Sequence, residues 1–339
     1  MWIHYHTLYT MLDNINRSNT PVYLINGWFD LYSRDNFLIY ENLTVPKRLL
    51  VRPTDHSGIE SPGPDIDFGA EAHRWFDYWL KGIDNGIMDE PPIHYYLQGA
   101  EKTQRWRSAD AWPLREALAT DYYFRPGGGN PEISANDGAL DTGLPADPDG
   151  VDAYHIDYTV TTGVEPLWSA PAMPHRYPDM RIHDAGALTY TGQVLDAPLA
   201  VVGHPIAHLW LSTAAPDLDV FVYLEQVDDR GHSTYITEGQ LRASHRLVSK
   251  APFANFGLPW RNHLEAEAGS IPADQPVELI FDLRPTAWEF PAGSRMRITV
   301  AFADADNFDT PVLTPAPIVR ILRDVSHPSF VALPVMDTP

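Results

Sequence analysis

Residues 21–26, PVYLIN, form a short apolar run bounded by proline in front and glycine behind, the pattern of a strand buried on both faces of a parallel sheet. Residues 33–43, SRDNFLIYENL, bring Phe37, Leu38 and Tyr40 to mixed helical spacing between polar ends, which predicts a helix. KRLLVRP, residues 47–53, is the next apolar run, so the order is strand, helix, strand, and the second strand ends in the polar cluster TDHSG. Residues 69–80, GAEAHRWFDYWL, then place Ala72, Trp75, Phe76 and Trp79 at i, i+3, i+4, i+7 spacing and stop at Lys81-Gly82, which predicts an amphipathic helix with a glycine C-cap.

After Glu90 the texture changes. Short alternating segments such as DAYHIDYTVTTG, PVELIFDLRPTAW and SRMRITVAF are separated by proline, glycine and aspartate, the spacing of a β-sandwich. Residues 125–149 carry little apolar content and read as a long surface loop. Neither an internal repeat nor a heptad run interrupts this order.

Composition narrows the function classes. With 44% hydrophobic residues over 339 positions, the chain has material for two cores. Forty-five acids against 24 bases give a formal charge of −21, which repels phosphate backbones and anionic lipid, so neither nucleic acid nor membrane is expected as a partner. The absence of cysteine excludes disulfides, thiolate nucleophiles and cysteine metal sites. The opening MWIHYHTLYTMLDN lacks the basic flank and apolar core of an export signal, and no run approaches the roughly 20 apolar residues of a membrane helix, which predicts a cytoplasmic location.

In open α/β sheets, ligands and catalytic groups sit beyond the carboxyl ends of the strands. Asp30 follows the first predicted strand and His56 the second, 26 residues apart, which suits one strand–helix–strand crossover that would bring both side chains to neighbouring strand ends. A carboxylate that orients an imidazole general base is two-thirds of a nucleophilic triad, and acid before histidine is the order of the α/β-hydrolases. Asp30 as a cap for the following helix, and His56 as a surface histidine, are the plainer readings of the same positions.

Several segments together carry a resemblance: NGWFD, TDHSG, FGAEAHRWFDYWLKGIDNGI, PPIHYYLQG, RWRSADAWP, GSRMRITVAFADADNFD and SHPSFVALPV. Over essentially its whole length the chain resembles the cocaine-esterase/X-Pro dipeptidyl-peptidase (CocE/NonD) family. The resemblance implies an α/β plus all-β fold: residues 1–89 as the C-terminal part of an α/β-hydrolase domain, and residues 90–339 as a galactose-binding-like β-sandwich, or jelly roll. It implies a serine hydrolase of ester, amide or X-Pro peptide bonds, with Asp30 as triad acid in G-W-x-D and His56 as triad base, and no cofactor. The family's Gly-Pro-Trp-x-His context is here Arg52-Pro53-Thr54-Asp55-His56, keeping only the proline and the histidine. Leu31 and Tyr32 stand where the family's amino-ester hydrolases carry acids, which argues against a substrate ammonium.

No G-x-S-x-G is present, and Ser57, Ser233 and Ser329 lack the strand-to-helix elbow that exposes a nucleophile. The resemblance therefore implies a chain without the nucleophile-bearing part, and the apolar edge of the strand at 21–26 would be covered by a separate chain carrying the serine, by a second copy of this chain or by rebuilt local packing. Residues 1–19, with Trp2, Tyr5, Leu8, Tyr9 and Leu12 at helical spacing, resemble the last cap helix. The alternative class is a non-catalytic binding or assembly protein whose sandwich holds a partner or glycan. His4 and His6 lack a third ligand nearby, and residues 303–309, ADADNFD, lack calcium-loop spacing, so both are read as solvated and no metal is expected. Trp106, Trp112, Trp210 and Trp288 are read as sandwich core and not as sugar platforms.

Overall fold

The computed structural model describes residues 8–56, 66–130, 132–168 and 177–337. His4, His6, Trp2, Tyr5 and Ser57 lie outside the described residues. Among those described, no helix is long and apolar enough to cross a membrane.

The chain packs as two compact units. The first contains helix α1 (Leu12–Ser18), strand β1 (Val22–Phe29), helix α2 (Ser33–Asn42), strand β2 (Lys47–Asp55), helix α3 (Phe68–Lys81), and strands β3 (Ile93–Tyr96) and β4 (Trp106–Ala109). They form one sheet in the order β1-β2-β3-β4, with the first two pairings parallel and the last antiparallel. The strands predicted at 21–26 and 47–53 and the helices predicted at 33–43 and 69–80 therefore exist, and β1 and β2 run farther than their apolar cores. The backbone ladder continues through Asn26 and Gly27, opposite Val51 and Arg52, to Phe29 opposite Asp55.

The first compact unit runs on to Arg115. PPIHYYLQG, read as sandwich, supplies β3, whose Ile93 and Tyr95 pair with Leu49 and Val51 of β2. A short alternating strand looks the same from sequence whichever sheet it joins. The partner decides, and here the parallel edge of β2 is the partner.

Helix α3 is bounded as its sequence predicts: the Asp67 carboxylate accepts from the backbone N–H of Ala70, and Gly82 closes the helix at φ 69°. Its contact face is narrower than the spacing suggests, because Trp75 is buried whereas Phe76 is exposed. Leu12 of α1 packs with Leu43 and Val45 in a small core of their own.

The second unit, which begins at Glu116 and leaves out Pro252–Gly257, is a β-sandwich. Strand Asp219–Val227 lies between Ser233–Arg242 and Arg295–Ala301, antiparallel to both. Strand Ile206–Thr213 pairs with Val277–Asp282, Ile318–Leu322 and Phe330–Asp337. Its core is built from alternating inward residues, including Val220, Val222 and Leu224 of one strand and Ile298 and Val300 of its neighbour, with Phe124 stacked on Tyr190 at 3.9 Å.

The segment 125–149 is not loop throughout. Gly138–Asp141 is a strand pairing with Tyr123–Arg125, and Leu140 is buried. Gly138 is required there, since a Cβ would lie 2.5 Å from the Tyr190 ring. A four-residue strand with one large apolar side chain has too little periodicity to stand out from polar surroundings.

Candidate active site

Both candidate side chains sit just past the carboxyl ends of adjacent parallel strands. Asp30 directly follows β1 and His56 directly follows β2. Their placement depends on an irregularity in the ladder. Gly27 pairs with Arg52, but Phe29 pairs with Asp55, so β2 contains one residue more than β1 over this stretch. An added residue reverses the alternation of the side chains that follow it and bends its strand. Pro53 lies in the bulged stretch, where a missing N–H breaks no regular ladder. Gly27 makes the close approach possible, since a Cβ at this position would stand 2.1 Å from the carbonyl oxygen of Thr54.

The outcome is a two-pronged contact. His56 Nδ1 lies 3.1 Å from Asp30 Oδ1 and 3.2 Å from Oδ2. The Asp30 side chain is 11% exposed and that of His56 is 43% exposed. The carboxylate is thus held within the fold while the imidazole stands at its rim. An ionised carboxylate only accepts hydrogen bonds, so Nδ1 carries the proton and donates it to Asp30, leaving the lone pair of Nε2 directed away from the acid.

Asp30 serves its helix as well. Its Oδ1 accepts from the N–H of Tyr32 at 2.9 Å, and its carbonyl accepts from the N–H of Ser33 at the start of α2. The turn contact with Tyr32 and the imidazole contact therefore coexist in one residue. Beneath this corner, Asn26 donates to the Ser33 carbonyl at 3.2 Å and Trp28 Nε1 donates to the Tyr96 carbonyl at 2.7 Å. Trp28, Phe37 and Trp112 stack into one aromatic block. Trp112 is thus core, as expected, but of the first unit rather than of the sandwich.

Tyr32, marked in the sequence only as a non-acidic residue after Asp30, stands beside His56. It is 51% exposed, and its ring meets the His56 ring edge-on at 5.4 Å. Only the turn between β1 and α2 brings it there, so periodicity carries no signal for it.

Serines near a strand-to-helix junction can be placed directly. Ser33 follows β1 and opens α2, yet it is fully buried and cannot present its hydroxyl to an external substrate. Ser233 donates to Glu225 Oε2 at 2.7 Å and Ser329 donates to the Leu322 carbonyl at 2.6 Å, both fully buried in the second unit. The run ADADNFD is not simply solvated. Asp304 is fully buried and accepts from the N–H of Thr162 at 3.0 Å, from Thr162 Oγ1 at 2.7 Å and from Asn307 Nδ2 at 2.8 Å. Three N–H and O–H donors on one carboxylate make it a loop clamp, not an oxygen cage for calcium.

With this geometry in place, comparison with known proteins identifies the lineage. The X-Pro dipeptidyl-peptidase C-terminal non-catalytic domain matches residues 85–313, and the X-Pro dipeptidyl-peptidase S15 family matches residues 3–58, the segment holding Asp30 and His56. The chain belongs to the CocE/NonD hydrolase family. It is 36% identical over 338 residues to the Mycobacterium bovis protein named "Putative serine esterase", covering 95% of this chain and 51% of that one. To the cocaine esterase of Rhodococcus it is 24% identical, covering 96% and 58% respectively. A CocE/NonD family hydrolase from Staphylococcus aureus superposes with a TM-score of 0.71 at 19% identity, over 95% of this chain and 55% of the other, which establishes a shared fold. The chain spans about half the length of the curated relatives it matches.

Proposed function

We propose that the chain contributes the acid and the base of a serine hydrolase triad acting on ester or amide bonds, X-Pro peptide bonds among them, with the nucleophilic serine supplied from outside these 339 residues. The observation that carries this reading is the paired contact of His56 Nδ1 with both oxygens of Asp30. In that arrangement His56 Nε2 takes the proton of the serine hydroxyl as the oxygen attacks the substrate carbonyl. Asp30 holds the imidazole in the required tautomer and stabilises the imidazolium that forms. The same nitrogen then returns the proton to the leaving alcohol or amine, and a water molecule repeats the cycle to release the acid.

The sandwich unit takes the part of a galactose-binding-like jelly roll. The serine comes from a separately supplied polypeptide carrying the nucleophile elbow or from a further segment of the same protein.

A fluorophosphonate probe tests this reading. The chain alone is expected to stay unlabelled. Mixed with a polypeptide carrying the elbow serine of a CocE/NonD relative, it should promote labelling of that serine and hydrolysis of a p-nitrophenyl ester. Labelling and hydrolysis that are no greater with the chain than with its His56→Ala variant would refute the proposal and leave a non-catalytic binding role.

A further inference from the structure

Outside the Asp30–His56 corner, the second unit holds a sealed group of ionisable side chains that the proposed hydrolysis does not use. His183 and Asp184 lie on the short helix Arg181–Ala185 and Glu225 on strand Asp219–Val227. Each offers a ligand atom within 4.8 Å of the other two. Exposure is 2% for His183 and zero for Asp184 and Glu225.

The polar atoms of this group are unevenly answered. Arg297 Nη1 donates to Asp184 Oδ2 at 2.6 Å and Thr299 Oγ1 to Asp184 Oδ1 at 3.3 Å. Ser233 Oγ donates to Glu225 Oε2 at 2.7 Å. Among the described residues, Glu225 Oε1 and both ring nitrogens of His183 have no hydrogen-bond partner. His183 Nδ1 stands 3.6 Å from Asp184 Oδ1, beyond hydrogen-bonding reach. Tyr223 closes one side of the imidazole, ring edge to face at 4.7 Å.

Two adjacent carboxylates against a single guanidinium leave one uncompensated negative charge in a dry interior. A proton shared between the carboxylates would relieve their repulsion but would leave the imidazole nitrogens unanswered. A divalent cation would answer both carboxylates and one imidazole nitrogen together.

We propose that His183, Asp184 and Glu225 bind one zinc-type divalent ion as a buried structural site. One nitrogen and carboxylate oxygens suit zinc and its borderline neighbours, whereas calcium takes six to eight oxygens. Arg297 on Asp184 and Ser233 on Glu225 are the outer contacts that fix the carboxylates toward the ion. Sealed from solvent, the ion performs no substrate chemistry. It ties the helix Arg181–Ala185 to the strand carrying Glu225.

The test uses the full chain without a histidine tag, stripped with EDTA, loaded with zinc and desalted before elemental analysis. The expected result is about one zinc per chain, a higher thermal midpoint after loading, and visible d–d absorption of a nitrogen–oxygen ligand set when cobalt(II) replaces zinc. His183→Gln and Glu225→Gln should each weaken zinc binding at least about tenfold, the loss seen even for outer-shell partners. No retained zinc in the unmutated chain overturns the proposal, whatever the folding of the variants. So does retention that both substitutions leave unchanged.

Discussion

In the first unit the inward acid Asp30 meets an imidazole whose side chain is 43% exposed, whereas in the second unit Asp184, Glu225, Glu238 and Asp304 are all sealed, each accepting at least one side-chain hydrogen bond. Both arrangements bury carboxylates, and burial without compensation is costly in either. The difference lies in the partner. An imidazole at the rim still has one nitrogen available for proton transfer. A guanidinium, an indole or a buried threonine does not change its protonation near neutral pH, so it can hold a carboxylate but cannot exchange protons with a substrate. An open acid–base pair at strand ends and a set of closed clamps in a sandwich are what the two architectures favour, because strand ends present loops to solvent while a sandwich interior excludes it.

The largest expected effect tests the open pair. In an assembly that contains the nucleophilic serine, Asp30→Asn should keep the imidazole in place but disfavour its working tautomer, lowering kcat by about 10³- to 10⁴-fold, and His56→Ala should do at least as much. Ester hydrolysis kinetics check both variants, with the thermal midpoint measured alongside. An Asp30→Asn protein that retains full kcat would reduce Asp30 to a helix cap and remove the contrast between the units.

A smaller effect tests a closed clamp. Glu238 accepts from Trp168 Nε1 at 2.7 Å and from Tyr177 Oη at 3.1 Å, and burial, opposed by Arg284 and reinforced by Asp304, pushes its carboxyl up to about 7. The folded state therefore keeps the Glu238 proton over a range in which the unfolded chain has released it. The contribution to stability is full below the ordinary value of 4.5 and is lost as pH rises toward 7. The loss is about 3 kcal/mol, at roughly 1.4 kcal/mol for each pH unit of difference. Urea unfolding across this range should show Glu238→Gln escaping that decline. Parallel pH slopes for the two proteins would show that Glu238 is ionised inside the fold.

How far these features were legible follows from the range over which each is determined. The strands at 21–26 and 47–53 were readable because double-sided burial makes a continuous apolar run, and the Asp30–His56 pair was readable because one crossover links two successive strand ends. The glycine stop of α3 was equally local. Three features depended on partners remote in sequence. PPIHYYLQG has the alternation of a sandwich strand but joins the first sheet, because only β2 decides which sheet it joins. Leu140 and its strand were hidden in a polar segment because their neighbour is Phe124. The convergence of His183, Asp184 and Glu225 is created by the pairing of separate elements and has no motif. Tyr32 belongs with these, since its approach to His56 depends on the turn that follows β1.

The smallest predicted effect joins local sequence to site geometry at Gly27. Its backbone approaches Thr54 so closely that an added methyl would lie 2.1 Å from a carbonyl oxygen and 2.8 Å from the carbonyl carbon, which are main-chain atoms and cannot rotate aside. Gly27→Ala must therefore push β2 away where its extra residue delivers Asp55 and His56. A cost of about 1 to 3 kcal/mol is expected from overpacking of this kind, read as a lower urea midpoint with an unchanged m-value. The same displacement lengthens the contact between His56 and Asp30, so the variant that remains folded should also lose activity in an assembly carrying the serine. Glu238→Gln, acting on a clamp in the other unit, should change stability and leave the kcat of the folded protein as it was. If Gly27→Ala lowered stability while its folded fraction kept full kcat, the open pair would be fixed by the turn after β1 alone, and the bulge in β2 would be a feature of packing and not of the site.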